Sequence, residues 1–469
     1  MSELRKDHLS FVETITQSIA SLSPTFTPAI AVAVVGGMAG TAAWLVYVVA
    51  TIMLVIVGLN ISKLAKHIPA AGSFFLYVSR TLGPSFGLVT AWAMLAGYLM
   101  TVVALIVATA MFFQDFLSGI GVQFAIPSVV LYLVVSVLVW IFAYRDVKFS
   151  LQMALVLEGI SMGLILAVCF IIWGKSGFTL DTKQIYLEGA SFKGAAPAIV
   201  FAIFSYVGFE SAATLGKETR NPTVTIPRAV VASAIIAGLF FTITTFITVM
   251  GFGDDAEKLG ASTKPLSDIS TGISATVATL VYIGAVISCF SCALGQLNAF
   301  GRTLFSLGRY QFVHRSMGLV HTEHQTPHTA LTVGAVIAFL VMAAFSKQPQ
   351  TDLIGYFGTI ATFGFLFCYL LCSVAAPLLL KQLNALTTMD VVLGVAGVIA
   401  MLLAFVGSVY PVPAYPYNIF PYGFVVYMVI GVIWFMVLKS QMPQVLLGIE
   451  HDLESAPAST GKTGREVIA

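Results

Sequence analysis

Apolar runs of roughly 20 residues, the length that carries a helix across a bilayer core, recur along this chain almost from end to end. Mean hydropathy is +0.95, with 58% hydrophobic and only 9% charged residues, which is the composition of a polytopic membrane protein. In hydrocarbon every backbone N–H and C=O must find a partner within the protein. The fold class is therefore all-α, and non-helical backbone survives only inside protein or beside a water-filled cavity.

Spans are expected near 12–36, 41–65, 86–114, 126–144, 150–174 and 195–216, and again near 227–252, 272–307, 328–346, 353–380, 390–410 and 420–439. If the amino terminus is cytoplasmic, the outer loops hold only Lys175, Lys183, Lys193, Lys258, Lys264 and Lys347 of the 23 Lys and Arg residues. The positive-inside rule then predicts a multi-pass protein of the cytoplasmic (inner) membrane with both termini inside. Residues 1–11 read as a cytoplasmic amino terminus with no removable signal, and 441–469 as a flexible cytoplasmic tail.

Several function classes lose support at this level. Cys169, Cys289, Cys292, Cys368 and Cys372 all lie in apolar runs and read as packing residues; neither a disulfide nor a metal framework is expected. Net charge is only +2, without a basic stripe, so no nucleic-acid partner is expected. The tail's GKTG lacks the frame and the preceding strand of a phosphate loop, and no cofactor is expected. His314, His321, His324 and His328 cluster in a loop without a tight ligand spacing and read as a solvated basic loop.

Two spans contain breakers. The sixth ends in FSYVGFESAATLGKETRNPTVTIPRA (204–229), where Gly208 interrupts an apolar helix beside Glu210. The first, ETITQSIASLSPTFTPAIAVAVVGG (13–37), is rich in Ser and Thr, and Pro24 and Pro28 remove backbone donors. A proline kink alone would account for the first, but the pairing adds weight. If spans 1–5 (12–174) and 6–10 (195–380) are repeats of opposite orientation, the two breaks correspond, and matched interruptions mark a transporter's binding site. A half-helix starting near Thr25 would aim free N–H groups at an anion, while exposed carbonyls attract an ammonium, so a zwitterion satisfies both.

The 204–229 segment resembles the helix-6 signature of the amino acid-polyamine-organocation (APC) superfamily. PAAGSFFLYVSRTLGPSFGL (69–88) resembles that family's segment after helix 2, and LNAFGRTLFSLGRY (297–310), followed by Thr326 and Pro327, its end of helix 8. The resemblance implies a LeuT-like fold of twelve helices, with a 5+5 inverted repeat and two carboxy-terminal helices at 390–439, and alternating-access transport of amino acids or amines. It implies that Phe204, Ser205, Tyr206, Val207 and Gly208 bind substrate, with backbone carbonyls receiving its ammonium and Phe204 as a lid. Ser23, Pro24 and Thr25 fall where the family has a Gly-Ser-Gly-type break for the carboxylate. Because Pro24 has no N–H, that contact is expected to shift to Thr25, Phe26 or the Ser23 hydroxyl. Lys217 departs from the acid common in relatives and is expected to tune loop pairing.

Among the acids, only Glu158 and Glu210 fall well inside expected spans. Glu158 lies about eight residues into the fifth span, ~12 Å deep at ~1.5 Å per residue, where an ionised carboxylate costs several kcal/mol unless paired or protonated. Three roles stay open for it: carrying a coupling proton, ligating sodium with Ser288 and Ser291, or a structural hydrogen bond. Glu210 belongs to the break itself and is expected mainly to satisfy freed amides, with conformational coupling as a second role. Tyr98 and Thr101 in the third span and Thr362 in the tenth are candidate pocket hydroxyls, and Tyr415, Pro416, Tyr417 and Pro421 read as an interfacial anchor and turn.

The expected function is secondary transport of a small-molecule amino acid or amine, proton-coupled and selective for neutral amino acids, with Na+ as the other candidate ion. A polyamine or cationic amino acid transporter, or an amino acid exchanger, is the alternative, and the neutral preference reverses if Glu158 reaches the pocket. A channel would need a repeated carbonyl filter, and an intramembrane enzyme a nucleophile and base frame; the sequence contains neither HExxH nor GxSxG.

Overall fold

The structure is a computed structural model that describes residues 7–68, 74–122, 124, 126–145 and 147–441. The tail after Gln441, most of the expected amino-terminal segment and the Pro-x-x-Gly part of the 69–88 block lie outside the described residues.

Long apolar stretches that satisfy their own backbone give an all-helical protein. The first stretch, Phe11–His67, is one interrupted run of α1 (Phe11–Leu22), a π-type turn (Thr27–Ala31), α2 (Val32–Ala39) and α3 (Ala43–His67), covering both expected spans there. The chain continues through α4 (Phe74–Leu82), α5 (Pro84–Gly119), α6 (Ser128–Tyr144), α7 (Val147–Lys175), the short α8 (Thr182–Tyr186) and α9 (Phe192–Phe204). After a 3-10 turn at Ser211–Leu215 come α10 (Pro222–Gly251), α11 (Ala256–Ala261), α12 (Pro265–Ile273), α13 (Ala275–Arg309), α14 (His328–Ala344), α15 (Gln350–Gln382), α16 (Thr388–Val409) and α17 (Phe420–Gln441).

Among the described residues, eight helical stretches, the Phe11–His67 run counted as one, are long and apolar enough to cross a membrane, and α6, α9 and α14 are shorter apolar helices. The sixth expected span differs most: its helix stops at Phe204 rather than 216, because the backbone turns at once through residues 205–210. The expected outer loop at 253–271 instead holds α11 and α12. Asp255 caps α11, accepting Lys258 N–H at 3.0 Å, and Pro265 opens α12; both helices are too short for apolar periodicity to register.

Helix α5 forms the centre, packing on α13 and α15, while α3 pairs with α10. Buried residues make up 89% of the apolar window of α5 but only 17% of that of α17, whose Val425, Ile430 and Ile433 face outward as lipid-facing residues do. The Asn-Pro of the sixth-span motif has a local cause. Asn221 takes a left-handed conformation (φ 48°) and Pro222 supplies the first turn of α10.

Candidate functional site

The first break is made by Ser23 and Pro24. Ser23 turns left-handed (φ 48°) and its N–H returns to Ala20 O at 3.2 Å, ending α1; the chain resumes as the π-type turn leading into α2. The second break is a run of turns from Ser205 to Glu210. Gly208 sits at φ +102°, and a Cβ there would lie 2.4 Å from Gln296 Nε2 and 2.5 Å from Ser21 O. Only glycine fits both the dihedral and the space.

The two breaks are laced together. Ser211 Oγ donates to Gln17 O (3.0 Å) and Ser21 Oγ (2.9 Å), and Ser18 Oγ accepts Ala212 N–H at 3.0 Å. From α13, Gln296 Nε2 donates to Ser21 O at 2.7 Å, and Gly295 O accepts from Gln17 Nε2 at 2.8 Å. The polar Ser and Thr residues of the first span therefore satisfy backbone that the breaks set free.

Predicted site residues separate into three groups. Phe26 and Phe204 meet edge to face, ring centroids 6.3 Å apart, and line a cavity of ≈ 580 Å³ on the side of the breaks away from the amino terminus. Its walls come from α2, α9, α15 and the 407–417 segment, it includes Thr362, and among the described residues no charged side chain lines it.

The second group surrounds Glu158. Ser288 Oγ donates to Glu158 Oε2 at 3.1 Å, approaches Ser23 Oγ at 3.2 Å and accepts Thr25 N–H at 3.4 Å. Thr25 Oγ1 also bonds Ser161 Oγ, and Ser161 donates to Gly284 O at 2.8 Å. Ser291, also on α13, is a second hydroxyl facing the buried Glu158 carboxyl. Neither Glu158 nor the serines line the cavity, so the acid faces the α13 side of the first break.

The third group holds Glu210, whose carboxylate accepts from Tyr98 Oη (3.2 Å) and from Tyr369 Oη. Tyr98 therefore braces the second break rather than lining the cavity. Tyr206 points elsewhere, its hydroxyl donating to Tyr47 O at 3.2 Å and bonding Thr51 on α3. Val207 is buried, and Ser205 Oγ lies 3.5 Å from Tyr47 Oη. Thr101 bonds Gly97 O within its own helix.

The backbone poles differ between the breaks. Thr25 N–H goes to Ser288 and Phe26 N–H to Ser23 O at 3.0 Å, so the amides expected to meet a carboxylate already have acceptors. Among the described residues, the carbonyls of Ser205 and Val207 receive no backbone amide. Carbonyl poles without amide partners favour an ammonium group.

Toward the amino-terminal face, Arg302 on α13 makes a bidentate pair with Glu218 (2.6 and 3.0 Å), each side chain 1% exposed. Leu9 and Thr219 form a parallel bridge: Leu9 N–H donates to Glu218 O at 2.9 Å and Arg220 N–H to Leu9 O at 2.8 Å. Leu9 is fully buried against Val147, Leu151 and Leu215. Lys217 is exposed at this face. Sequence reasoning assigned no role to Glu218, Arg302, Gln296 or Tyr369. Arg302 carried a usable signal, since an arginine inside an apolar helix demands an acid.

His321, His324 and His328 gather around Tyr144, with ring centroids 5.2 to 6.1 Å from its own. Among the described residues, no three or more His, Cys, Asp or Glu side chains are grouped to hold a metal ion.

The sequence model of the amino acid permease family matches residues 14–443. This chain belongs to the amino acid permease family. The permease is similar to the branched-chain amino acid permease BcaP of Bacillus subtilis, 23% identical over 366 residues, covering 73% of this chain and 75% of that protein. It is similar at the same identity to the low-affinity putrescine importer PlaP of Escherichia coli K12, over 77% of this chain and 80% of that one. The Lactococcus lactis BcaP matches at 23% over 68% of this chain and 71% of its own length. The expected APC membership, a multi-pass membrane protein and transport are thus established at the level of the family.

Proposed function

We propose that this permease is a secondary transporter of neutral amino acids, proton-coupled, working by alternating access around the two breaks. One observation carries the substrate reading: the cavity above the Phe26–Phe204 pair has no charged lining. A diamine would bring two ammonium groups into an apolar wall, each losing several kcal/mol of hydration without a carboxylate to meet it. Both intramembrane acids are engaged outside this cavity, Glu210 by two tyrosines and Glu158 by Ser288. On this reading the preference stays with neutral substrates.

In this reading the substrate ammonium binds the carbonyls of Ser205 and Val207, and its side chain enters the apolar cavity. The carboxylate takes over the amides of Thr25 and Phe26, displacing Ser288 and Ser23 O as acceptors. Moving Ser288 changes the environment of Glu158, which links substrate binding to its protonation. The coupling ion in this proposal is a proton carried by Glu158, a buried carboxyl with Ser288 as its hydrogen-bond donor. Twelve crossings, the 5+5 inverted repeat, and both termini on the cytoplasmic side of the inner membrane complete the proposal, with α1–α2 and α9 as its paired broken helices.

Uptake into proteoliposomes tests it, using labelled leucine, alanine, arginine and putrescine under imposed pH and sodium gradients. Leucine accumulation driven by the pH gradient, lost in Glu158→Gln while leucine counterflow persists, is the expected result. Preferred putrescine uptake would contradict the substrate reading, and unchanged proton-driven accumulation by Glu158→Gln the coupling role.

A further inference from the structure

The Tyr-Pro-Tyr segment before α17 behaves in two ways. Tyr415 is 79% exposed, as an interfacial anchor is, but Tyr417 turns inward and lines the cavity together with Pro411, Val412, Pro413 and Ala414. Its ring packs edge to face on Tyr356 (5.6 Å) and Phe420 (5.5 Å).

Two glycines on α15 explain how the rings fit. A Cβ at Gly355 would lie 2.2 Å from Tyr417 Oη, and a Cβ at Gly358 would lie 2.5 Å from Phe204 Cζ. The two positions are three residues apart and share a helix face, about 4.5 Å along the axis. Bare backbone on one helix thus seats two aromatic groups a turn apart: Phe204 at the floor of the cavity and Tyr417 farther out. With the ammonium at the second break as proposed above, only the longer substrate side chains would extend toward the level of Tyr417, about one helical turn beyond Phe204.

We propose that Tyr417, with the Pro411–Ala414 segment behind it, is a specificity-determining wall that selects neutral amino acids with bulky apolar side chains. This rests on the neutral amino acid reading above. The contact is apolar and non-directional, so it discriminates by chain length and branching rather than by polarity. Burying two or three additional methylene equivalents against such a wall favours the larger substrate by about 10-fold or more.

The test compares KM and Vmax for labelled leucine and alanine in proteoliposomes of the full chain, for wild type, Tyr417→Ala, Tyr417→Phe and Val412→Ala. The ring of Tyr417→Phe preserves the wall, so wild-type selectivity is expected. Tyr417→Ala is expected to raise leucine KM about 10-fold and alanine KM less than about 2-fold, with Vmax retained for both. Val412, 74% exposed, can be trimmed without disturbing the fold, and Val412→Ala should raise leucine KM alone, by about 3-fold. Retained alanine transport separates lost selectivity from lost folding. Equal effects on the two substrates, or none in either alanine variant, overturn the wall. If wild type takes up putrescine but neither amino acid, the neutral amino acid reading falls, and the wall falls with it.

Discussion

The two sides of the helix breaks are built from opposite materials. Toward the amino terminus, the inner halves are locked by charge and hydrogen bonds: Arg302 grips Glu218, and residues 8–9 are strapped to 218–220. On the other side, α2 and α9 pack together beside an apolar cavity whose floor is the Phe26–Phe204 pair. A buried ion pair is directional and fails as a unit, while apolar walls close by contact alone with little geometric demand. The permease is thus bonded together on one face and bears an apolar cavity on the other, an asymmetry that the alternating access proposed above requires of one of its states.

Breaking the lock should have the largest effect. Arg302→Ala leaves Glu218 buried and unpaired, a loss of about 3–5 kcal/mol, visible as a collapse of the melting temperature in detergent by fluorescence-detected size-exclusion chromatography. Replacing both partners with Glu218→Gln and Arg302→Met should recover most of that stability, because neither charge remains. A wild-type melting temperature for Arg302→Ala would show that the lock does not hold this face.

The hinge between the two sides comes next. Gly208→Ala places a Cβ at φ +102° against Gln296 and Ser21, a strain of order 1–3 kcal/mol, and leucine uptake should fall at least about tenfold. Full uptake would mean the second break does not need its left-handed geometry.

The smallest effect sharpens the outer edge. Asp254 lies 3.8 Å from Lys183, and burial, with the neighbouring Asp181, pushes its acid up to about 6. Ionising such an acid opposes folding. The wild type should therefore lose stability relative to Asp254→Asn as pH rises from about 4 to about 6, with no difference below that window. Solvent screening keeps the shift under about 2 °C in melting temperature. A difference that grows toward acid pH would reverse the assignment.

What was legible in the sequence was mostly local. Pro24 and Gly208 announce the breaks because backbone chemistry is a property of single residues, and Glu158 declares itself by its depth in an apolar run. Ser288 entered that reading only as a sodium ligand beside Glu158, and it donates to the carboxylate directly. The partnerships that brace the site were not legible. Glu218–Arg302 spans 84 positions and Glu210–Tyr369 spans 159, and such pairs depend on how helices rotate and tilt against one another. Tyr206 was grouped with Ser205 and Val207 by the motif, yet its ring faces α3 because residues in a chain of turns do not share a face. Tyr417 looked like Tyr415 for the same reason: nothing in a Tyr-Pro-Tyr sequence says which ring turns inward.

Thiol accessibility from the two faces tests the contrast most directly, because all five native cysteines are buried. Val200→Cys, in the cavity wall, and Leu151→Cys, under Leu9, would be exposed to a membrane-impermeant maleimide applied to either face of oriented vesicles. The account predicts labelling of Val200→Cys from the face opposite the amino terminus, slowed by leucine, and no labelling of Leu151→Cys from either face. Labelling of Val200→Cys only from the amino-terminal face, or equal labelling of both positions, would contradict it.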